Sequence, residues 1–443
     1  MKLKIYQKAI YLIAGVLLLN NTTKAQEKSK DDFKPSGSLW GQLFADYYYK
    51  AHSDTLGRGG GNVQYAPKNN TSIPNNGNSY NAFQIRRAYL GYDYNISRKF
   101  SASVVISHEQ NVDQGGNNTI LLKFANIKWT NIFPKSDLII GQQSTCSYAS
   151  QYGTDQLWGY RAIERTVMDM HGIDGSTDLG ISLLGKAWTS KNFKDSLKPT
   201  FIGYQVQIGN GNSTKPEVDR FKKLRGTVYL STLKQKLTVG IYGDFNQGFL
   251  AGNTNSTLGI GSNQNITTIK GYAHFKTEWL SIGAELFQET YSKGDSSYYK
   301  TSAKSTATLT NGVVFGWSVF LTGQIIKNKL NYYLRMDQFN PDTKYNSNYI
   351  YTETVTGKVS ALNSGLKSPS TFYTQTFYTI GLDWMPIPKV HILPNLWLNQ
   401  YQSMASNDIN IKNGKEVITP IIDRQKSDYD LVYRLTLNYT FGK

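Results

Sequence analysis

The sequence predicts an all-β protein, a closed antiparallel transmembrane β-barrel of sixteen strands with short periplasmic turns and long extracellular loops. Many segments alternate between apolar and polar residues, which is the side-chain period of a strand with one oily and one hydrophilic face. The connections are alternately long and short, as in an up-and-down membrane barrel. After residue 25 no run approaches the ~20 apolar residues that a membrane helix needs.

The chain begins with the pattern of a secretory signal peptide, residues 1–25. Three lysines lie in the first eight residues, residues 9–19 form an apolar core, and Thr23-Lys24-Ala25 supplies a small-residue cleavage site. The alternative is a buried first helix. Because the leader carries four lysines and no acid, cleavage lowers the formal net charge from +17 to +13. We expect a short periplasmic segment at 26–37 and the barrel at 38–443.

The last strand shows the alternation clearly. From Leu431 to Phe441 every second residue is apolar or aromatic, and the residues between them are mostly polar or charged. An arginine facing lipid at the membrane midplane costs about 2–4 kcal/mol, so Arg434 should face inward. We therefore expect the face with Leu435 and Leu437 to meet lipid, and the opposite face to meet water in the lumen.

Segments of this kind recur through the chain. We count sixteen, with approximate edges at 38–50, 82–95, 99–109, 119–131, 136–144, 178–190, 198–209, 222–233, 236–247, 265–278, 279–291, 313–327, 328–339, 373–387, 388–402 and 427–441. An even number agrees with bacterial single-chain barrels and puts both chain ends on the periplasmic side.

The connections favour a membrane barrel over a soluble β-sandwich, which has no reason to keep every second loop short. Short connections include 96–98, 234–235 and 386–388. Long connections lie at 51–81, 110–118, 145–177, 210–221, 248–264, 292–312, 340–372 and 403–426.

The sequence gives little support for catalysis. The five histidines are scattered without metal spacing, and Cys146, the single cysteine, has no motif of a nucleophile and no partner for a disulfide within the chain. The stretch Asp174–Asp178 could bind calcium, but a plain turn is favoured. We therefore expect no enzyme, cofactor, resident metal or nucleic-acid partner.

Several motifs resemble the phosphate-selective porin family of the O and P type. Arg86-Arg87-Ala88 matches an early strand of that family, and 124–129 matches the next strand with both acidic positions replaced. Gly141-Gln142 leads into a long loop that carries Glu164-Arg165. The usual Pro-Phe after Gly-Gln is absent. The stretches 204–212 and 378–388 also resemble family strands.

The resemblance implies a sixteen-stranded, usually trimeric channel in the outer membrane of a Gram-negative bacterium. It also implies that the third long loop, about 145–177, folds into the lumen. There Arg161, Glu164, Arg165 and Asp169 could line a constriction where charge sets ion preference. The alternative is that these four are solvated loop residues that pair with one another.

Strand parity gives a second set of candidate site residues, the cations that face the lumen. They are Arg87, Lys128, Lys186, Arg225, Lys270, Lys276, Arg335 and Arg434. The same parity places seven carboxylates inside, at Asp46, Asp93, Asp244, Glu285, Asp337, Asp383 and Asp430. A wall of paired ions is favoured over a ladder of arginines that relays oxyanions. Much of the excess charge must then lie in loops and turns.

The function expected from this fold is a porin, a water-filled channel for passive diffusion of small hydrophilic solutes with a mild preference for anions such as phosphate. The partners would be outer-membrane lipid, these solutes and further copies in a homotrimer. The alternative is a non-conducting barrel that acts as a structural or docking component of a secretion or adhesion assembly. A surface hydrolase or a lipid transporter finds less support.

Overall fold

The computed structural model describes residues 33–56, 58, 79–109, 120–147, 165–190, 199–217, 221–249, 263–299, 308–345, 349–353, 373–404, 407–412, 415–420 and 427–442. The expected signal peptide and most of the segment 26–37 lie outside these residues. Contacts separate Met1–Pro35 from a compact unit, Ser36–Lys443. None of the described helices is long and apolar enough to cross a membrane.

The compact unit is built almost wholly of strands. In chain order they are β1 (Ser36–His52), β2 (Tyr80–Asn95), β3 (Phe100–Glu109), β4 (Leu121–Phe133), β5 (Ser136–Ser144), β6 (Thr177–Thr189), β7 (Phe201–Gly209), β8 (Lys223–Thr232), β9 (Leu237–Phe249), β10 (Asn263–Lys276), β11 (Leu280–Tyr299), β12 (Thr308–Ile326), β13 (Leu330–Asn340), β14 (Tyr349–Glu353), β15 (Tyr373–Ile387), β16 (Val390–Ser403), β17 (Asn407–Lys412), β18 (Lys415–Pro420) and β19 (Ser427–Phe441). One helical turn, α1 (Val167–Met170), precedes β6.

Sixteen of these strands form a closed antiparallel barrel, which confirms the predicted fold class. Each pairs with its neighbour in the chain, apart from the steps from β13 to β15 and from β16 to β19, and β19 pairs with β1. The short β14 pairs with the end of β11, and β17 and β18 form a separate hairpin. Closure removes the open edges whose backbone groups could not find partners in hydrocarbon.

The closing seam between β1 and β19 is reinforced by charge at one end. Lys50 Nζ lies 3.1 Å from Asp430 Oδ1, and the backbone N–H of Asp54 donates to the same oxygen over 2.7 Å. Arg58 forms an ion pair with Asp54 at 2.7 Å and donates to Ser403 Oγ on β16. The chain that leaves β1 is thus fastened across both β19 and β16.

The two faces of β19 follow the predicted alternation. Tyr433 and Leu435 are 49% and 48% exposed on the outer face, whereas Arg434 and Thr436 are 4% and 0% exposed on the inner face. At the end of the barrel where the connections are short, Trp188, Trp384 and Trp279 stand half-exposed. Aromatic side chains at this level are typical of the girdle that a membrane barrel presents to an interface.

The barrel has two different rims. We call the end that carries the connections 96–99, 134–135, 190–200, 233–236, 277–279, 327–329 and 388–389 the short-turn rim, and the opposite end the long-loop rim. The position of one predicted turn, 386–388, is wrong. Strand β15 continues to Ile387, and Pro386 falls in an irregular stretch of the pairing with β16, where no ladder donor is needed.

Large aromatic rings inside the barrel pack directly against glycines of the neighbouring strand. A Cβ added at Gly381 would lie 2.1 Å from Tyr333 Oη, and one at Gly240 would lie 2.3 Å from Tyr272 Cζ. Any side chain at these positions would displace the ring. The frequency of glycine, 39 residues, thus has a packing reason at these sites.

We predict that the substitution Leu435→Arg lowers the free energy of unfolding in lipid vesicles by about 2–4 kcal/mol, because it places a charge on the lipid face. The control Asn438→Arg lies on the inner face of the same strand, and it should cost less than about 1 kcal/mol. Denaturant titration followed by tryptophan fluorescence measures both. Equal costs would contradict the assignment of the two faces.

Candidate functional site

The lumen is the candidate functional site, and its wall is polar. Every strand of the barrel contributes a buried polar side chain there. One from each strand in chain order is Asp46, Arg87, Ser107, Lys123, Gln143, Ser182, Gln205, Thr227, Asp244, Thr268, Glu285, Ser318, Asp337, Thr379, Asn399 and Thr436. The lumen is thus lined by polar groups from every strand of the barrel.

Most of the cations predicted to line the lumen lie beside carboxylates. Lys128 Nζ is 2.7 Å from Asp137, Arg225 Nη1 is 2.7 Å from Asp178, Lys270 Nζ is 3.2 Å from Glu285, Arg335 Nη2 is 2.5 Å from Asp337 and Arg434 Nη2 is 2.8 Å from Asp46. In each of these five contacts a predicted cation is paired with a carboxylate.

The other three predicted cations have different surroundings. Arg87 is buried, with its guanidinium 5.9 Å from the ring of Phe44. Lys186 is exposed near the short-turn rim and lies 4.3 Å from the centre of the Phe201 ring. Lys276 is exposed at the same rim, where it lines a polar cavity of about 490 Å³ together with His391.

A tryptophan lies between two arginines in the wall. The guanidinium of Arg434 lies 3.9 Å from the centre of the Trp397 ring, and that of Arg86 lies 5.3 Å from it. Both arginines also contact Asp46, at 2.8 and 3.3 Å. Attraction between the cations and the ring face, together with the shared carboxylate, holds two like charges close together in the barrel wall.

Residues 165–176, which we call the inner segment, pack against inward-facing side chains. Met170 contacts a cluster that includes Tyr333 and Trp397. Val167 and Met168 belong to a second cluster, with Phe287 and other inward-facing rings. The inner segment therefore lies within the barrel. The prediction for the connection 145–177 as a whole stays a prediction, because 148–164 lie outside the described residues.

An aspartate fastens the inner segment to β8. Arg225 donates from Nε and Nη2 to Asp174 Oδ1 at 3.0 and 2.9 Å, and Lys223 Nζ lies 3.1 Å from the same oxygen. Ser147 and Tyr242 donate to Oδ2 over 2.6 and 3.2 Å. Burial alone would raise the pKa of Asp174, but the adjacent Arg225 and Lys223 hold it below its ordinary value. The carboxylate is therefore charged at neutral pH.

A second set of polar contacts ties the inner segment to β3 and β4. Glu109 on β3 forms an ion pair with Lys123 at 2.6 Å and lies 3.8 Å from Arg165. Lys123 also donates to Ser176 Oγ over 2.7 Å. Arg165 is in turn 3.7 Å from Asp169, one helical turn later. The inner segment is thus tied to β3 and β4 as well as to β8.

Two of the four predicted constriction residues belong to this arrangement. Arg165 and Asp169 are buried and face one another. Arg161 and Glu164 lie outside the described residues. The contacts of Arg165 with Glu109 and Asp169 place it in a paired network, as the solvated-pair alternative proposed, but in a buried setting.

The inner segment also contains a histidine, and it packs over a cysteine. The ring of His171 stacks on Phe339 with 3.5 Å between ring centres, and burial lowers its pKa to about 3. Cys146 is buried in the cluster that contains Val167 and Met168, and burial raises the pKa of its thiol. Both groups are therefore uncharged at neutral pH.

Sequence reasoning missed five buried cations, Lys50, Arg58, Arg86, Lys123 and Lys223. The parity of β1 and β8 already pointed inward at Lys50 and Lys223. Arg86 and Lys123 could not be found in this way, since each lies at a break in strand register, opposite Phe44/Ala45 and Val105/Ile106. Such a bulge lets adjacent residues share one face.

The described residues offer no group of three or more His, Cys, Asp or Glu side chains that could hold a metal ion. The two aspartates of the calcium alternative, Asp174 and Asp178, are instead bridged by Arg225.

No family model matches the sequence, and no curated protein matches it. Solved structures with a similar fold include the outer membrane channel DcaP of Acinetobacter baumannii, at 10% identity and a TM-score of 0.53, covering 94% of this chain and 100% of that one. Another is the anion-selective porin from Comamonas acidovorans, at 9% identity and a TM-score of 0.52, covering 92% and 100%.

These likenesses agree with the closed sixteen-stranded barrel. An apolar outer face around a closed barrel of strands is the architecture of outer-membrane proteins. The chain is therefore an outer-membrane barrel of the porin type in its fold. The narrower resemblance to the phosphate-selective family is not supported by a family match.

We predict that Asp174→Asn exposes Cys146. Breaking a buried ion pair costs about 3–5 kcal/mol, so release of the inner segment should raise the rate of thiol modification by maleimide at least about tenfold. The control Asp137→Asn also removes the charge of an aspartate. Asp137 lies at the start of β5, whereas Cys146 follows its end, so the rate of thiol modification should be unchanged. An unchanged rate in Asp174→Asn would contradict the anchoring role.

We predict that the inner segment is less firmly held at pH 5 than at pH 7. The folded pKa of His171 lies below its unfolded value of about 6.5, so stability is lost as the pH falls through 6.5. Asp174 stays charged throughout this range. Hydrogen exchange of the backbone amides of residues 166–176, corrected for the intrinsic exchange rates, measures this difference. The protection of these amides should be about tenfold lower at pH 5 than at pH 7.

In His171→Phe, which keeps the stacking on Phe339 without a titrating group, that difference between pH 5 and pH 7 should disappear. Persistence of the full pH dependence in the variant would exclude His171 as its source.

Proposed function

We propose that the chain is a porin, a channel through which small hydrophilic solutes diffuse passively across the outer membrane. The observation that carries this proposal is the distribution of side chains on a closed barrel. The outer face is apolar, and the inner face presents charged and hydrogen-bonding groups from every strand. Such an interior serves water and polar solutes, and it needs no reacting group.

The inner segment would set the narrowest part of the passage. Its anchors at Asp174 and Arg165 hold α1 against rings on β9, β11 and β13. Solutes would pass between paired charges rather than along a free row of cations. The selectivity that follows is a preference for small size first, and a mild preference for anions from the net charge of +13 after leader cleavage.

The two similar structures support this reading, since one is an outer membrane channel and the other an anion-selective porin. We include phosphate among the candidate solutes, and a homotrimer as the candidate assembly, because the family resemblance implies both. Neither is needed for a conducting barrel.

A second candidate is a non-conducting barrel that serves as a structural or docking component of a surface assembly. The observation that favours it is the burial of polar side chains on the inner faces of all sixteen strands. If the passage is closed, the long-loop rim would carry the function instead.

We predict discrete conductance steps when the folded protein is inserted into a planar bilayer. Asp174→Asn should raise the unit conductance, because the inner segment no longer narrows the lumen. Leu437→Ala, on the outer face, is the matched control and should conduct like the unaltered chain. The reversal potential in a salt gradient should show weak anion selectivity.

Folded protein that gives no steps in any variant would exclude the channel and support the docking component. Steps with a cation-selective reversal potential would remove only the preference for anions.

A further inference from the structure

The turns of the short-turn rim carry an unusual excess of positive charge. Exposed cations stand on turns spread around the ring, at Lys99, Lys135, Lys234, Lys236, Lys329 and Lys389. The one acidic residue in the described turns of this rim is Glu278, and it accepts a hydrogen bond from a further cation, Lys327. That contact lowers the pKa of Glu278.

The turns that carry these lysines are joined to neighbouring strands by backbone hydrogen bonds. The carbonyl of Lys135 accepts from the N–H of Lys186 over 3.1 Å, that of Lys329 from Met385 over 2.8 Å, and that of Lys389 from Thr440 over 3.0 Å. The backbone from which these lysines extend is therefore held by the strands of the barrel.

The ring lies at the level of a membrane interface. Trp279, Trp188 and Trp384 stand half-exposed on the outer wall within a few residues of these turns. The ammonium group of Lys327 lies 5.9 Å from the centre of the Trp279 ring. Interfacial tryptophans lie at the headgroup level, so long basic side chains just beyond them reach the lipid phosphates.

We propose that the short-turn rim is a binding surface for the headgroups of anionic phospholipids in the leaflet it faces, which the sequence predicts to be the periplasmic one. A membrane surface suits the ring because its charges surround the whole barrel, whereas a folded protein partner would call for a single patch. Each cation near an anionic leaflet adds to the preference for that leaflet. The proposal does not depend on whether the lumen conducts.

The test uses the full mature chain folded into phosphatidylcholine vesicles with a trace of spin-labelled lipid. Electron spin resonance gives the fraction of label held at the protein, for phosphatidylglycerol and for phosphatidylcholine. We expect phosphatidylglycerol to be held about fivefold more strongly at low salt. In about 1 M salt, where screening acts within about 3 Å, the ratio should approach one.

Substitution separates this rim from the rest of the surface. The variant Lys236→Gln/Lys329→Gln should lower the ratio about twofold. The control Lys215→Gln/Lys344→Gln removes two exposed cations at the long-loop rim and should keep the ratio of the unaltered chain. Far-UV circular dichroism and heat-modifiable electrophoretic mobility select folded protein for each comparison.

Several outcomes would overturn the proposal. They are a ratio near one for the unaltered chain, a ratio that does not respond to salt, and an equal loss in the control. Retention of soluble peptidoglycan fragments through Lys236 and Lys329, without any lipid preference, would assign the surface to the cell wall instead.

Discussion

Closure of the sheet is the constraint on which the rest of this structure depends. In hydrocarbon each backbone N–H and C=O must find its partner within the protein, so β19 must meet β1 in register. That register determines the inner and outer faces of all sixteen strands. The contacts of Lys50, Asp54 and Arg58 with β19 and β16 fasten the seam where the chain leaves β1.

Closure also creates an interior in which charges must be paired. Removing a carboxylate from water is costly unless cations and hydrogen-bond donors replace its hydration. Asp174 obtains them from Arg225, Lys223 and Ser147, and in doing so it ties the inner segment to the wall. The same contacts that make a buried charge tolerable therefore also position the helical turn α1 against inward-facing side chains.

Sequence reasoning reached the fold because alternation and connection length are properties of single strands. It placed Arg434 inside and Leu435 outside correctly, since only one parity keeps a charge out of lipid. Register breaks are different. A bulge depends on the pairing of two strands, so the inward position of Arg86 beside Arg87 could not be read from either strand alone.

The candidate site was less accessible to sequence reasoning for a similar reason. Parity can name the ions that face the lumen, but not the partner each one meets across the barrel. The contact of Asp174 with Arg225 joins residues far apart in the chain, and an aspartate in a turn-like stretch gave no sign of it. The calcium alternative for that stretch arose from the same lack of information.

The burial of Cys146 protects its thiol from oxidation once the protein has folded. Proteins bound for the outer membrane cross a compartment that oxidises free thiols into disulfides. A single accessible cysteine there would link one copy to another or to an unrelated protein. Once the inner segment has packed over it, the protonated, enclosed sulfur has no thiolate to offer. Completed folding thus makes the single cysteine unreactive.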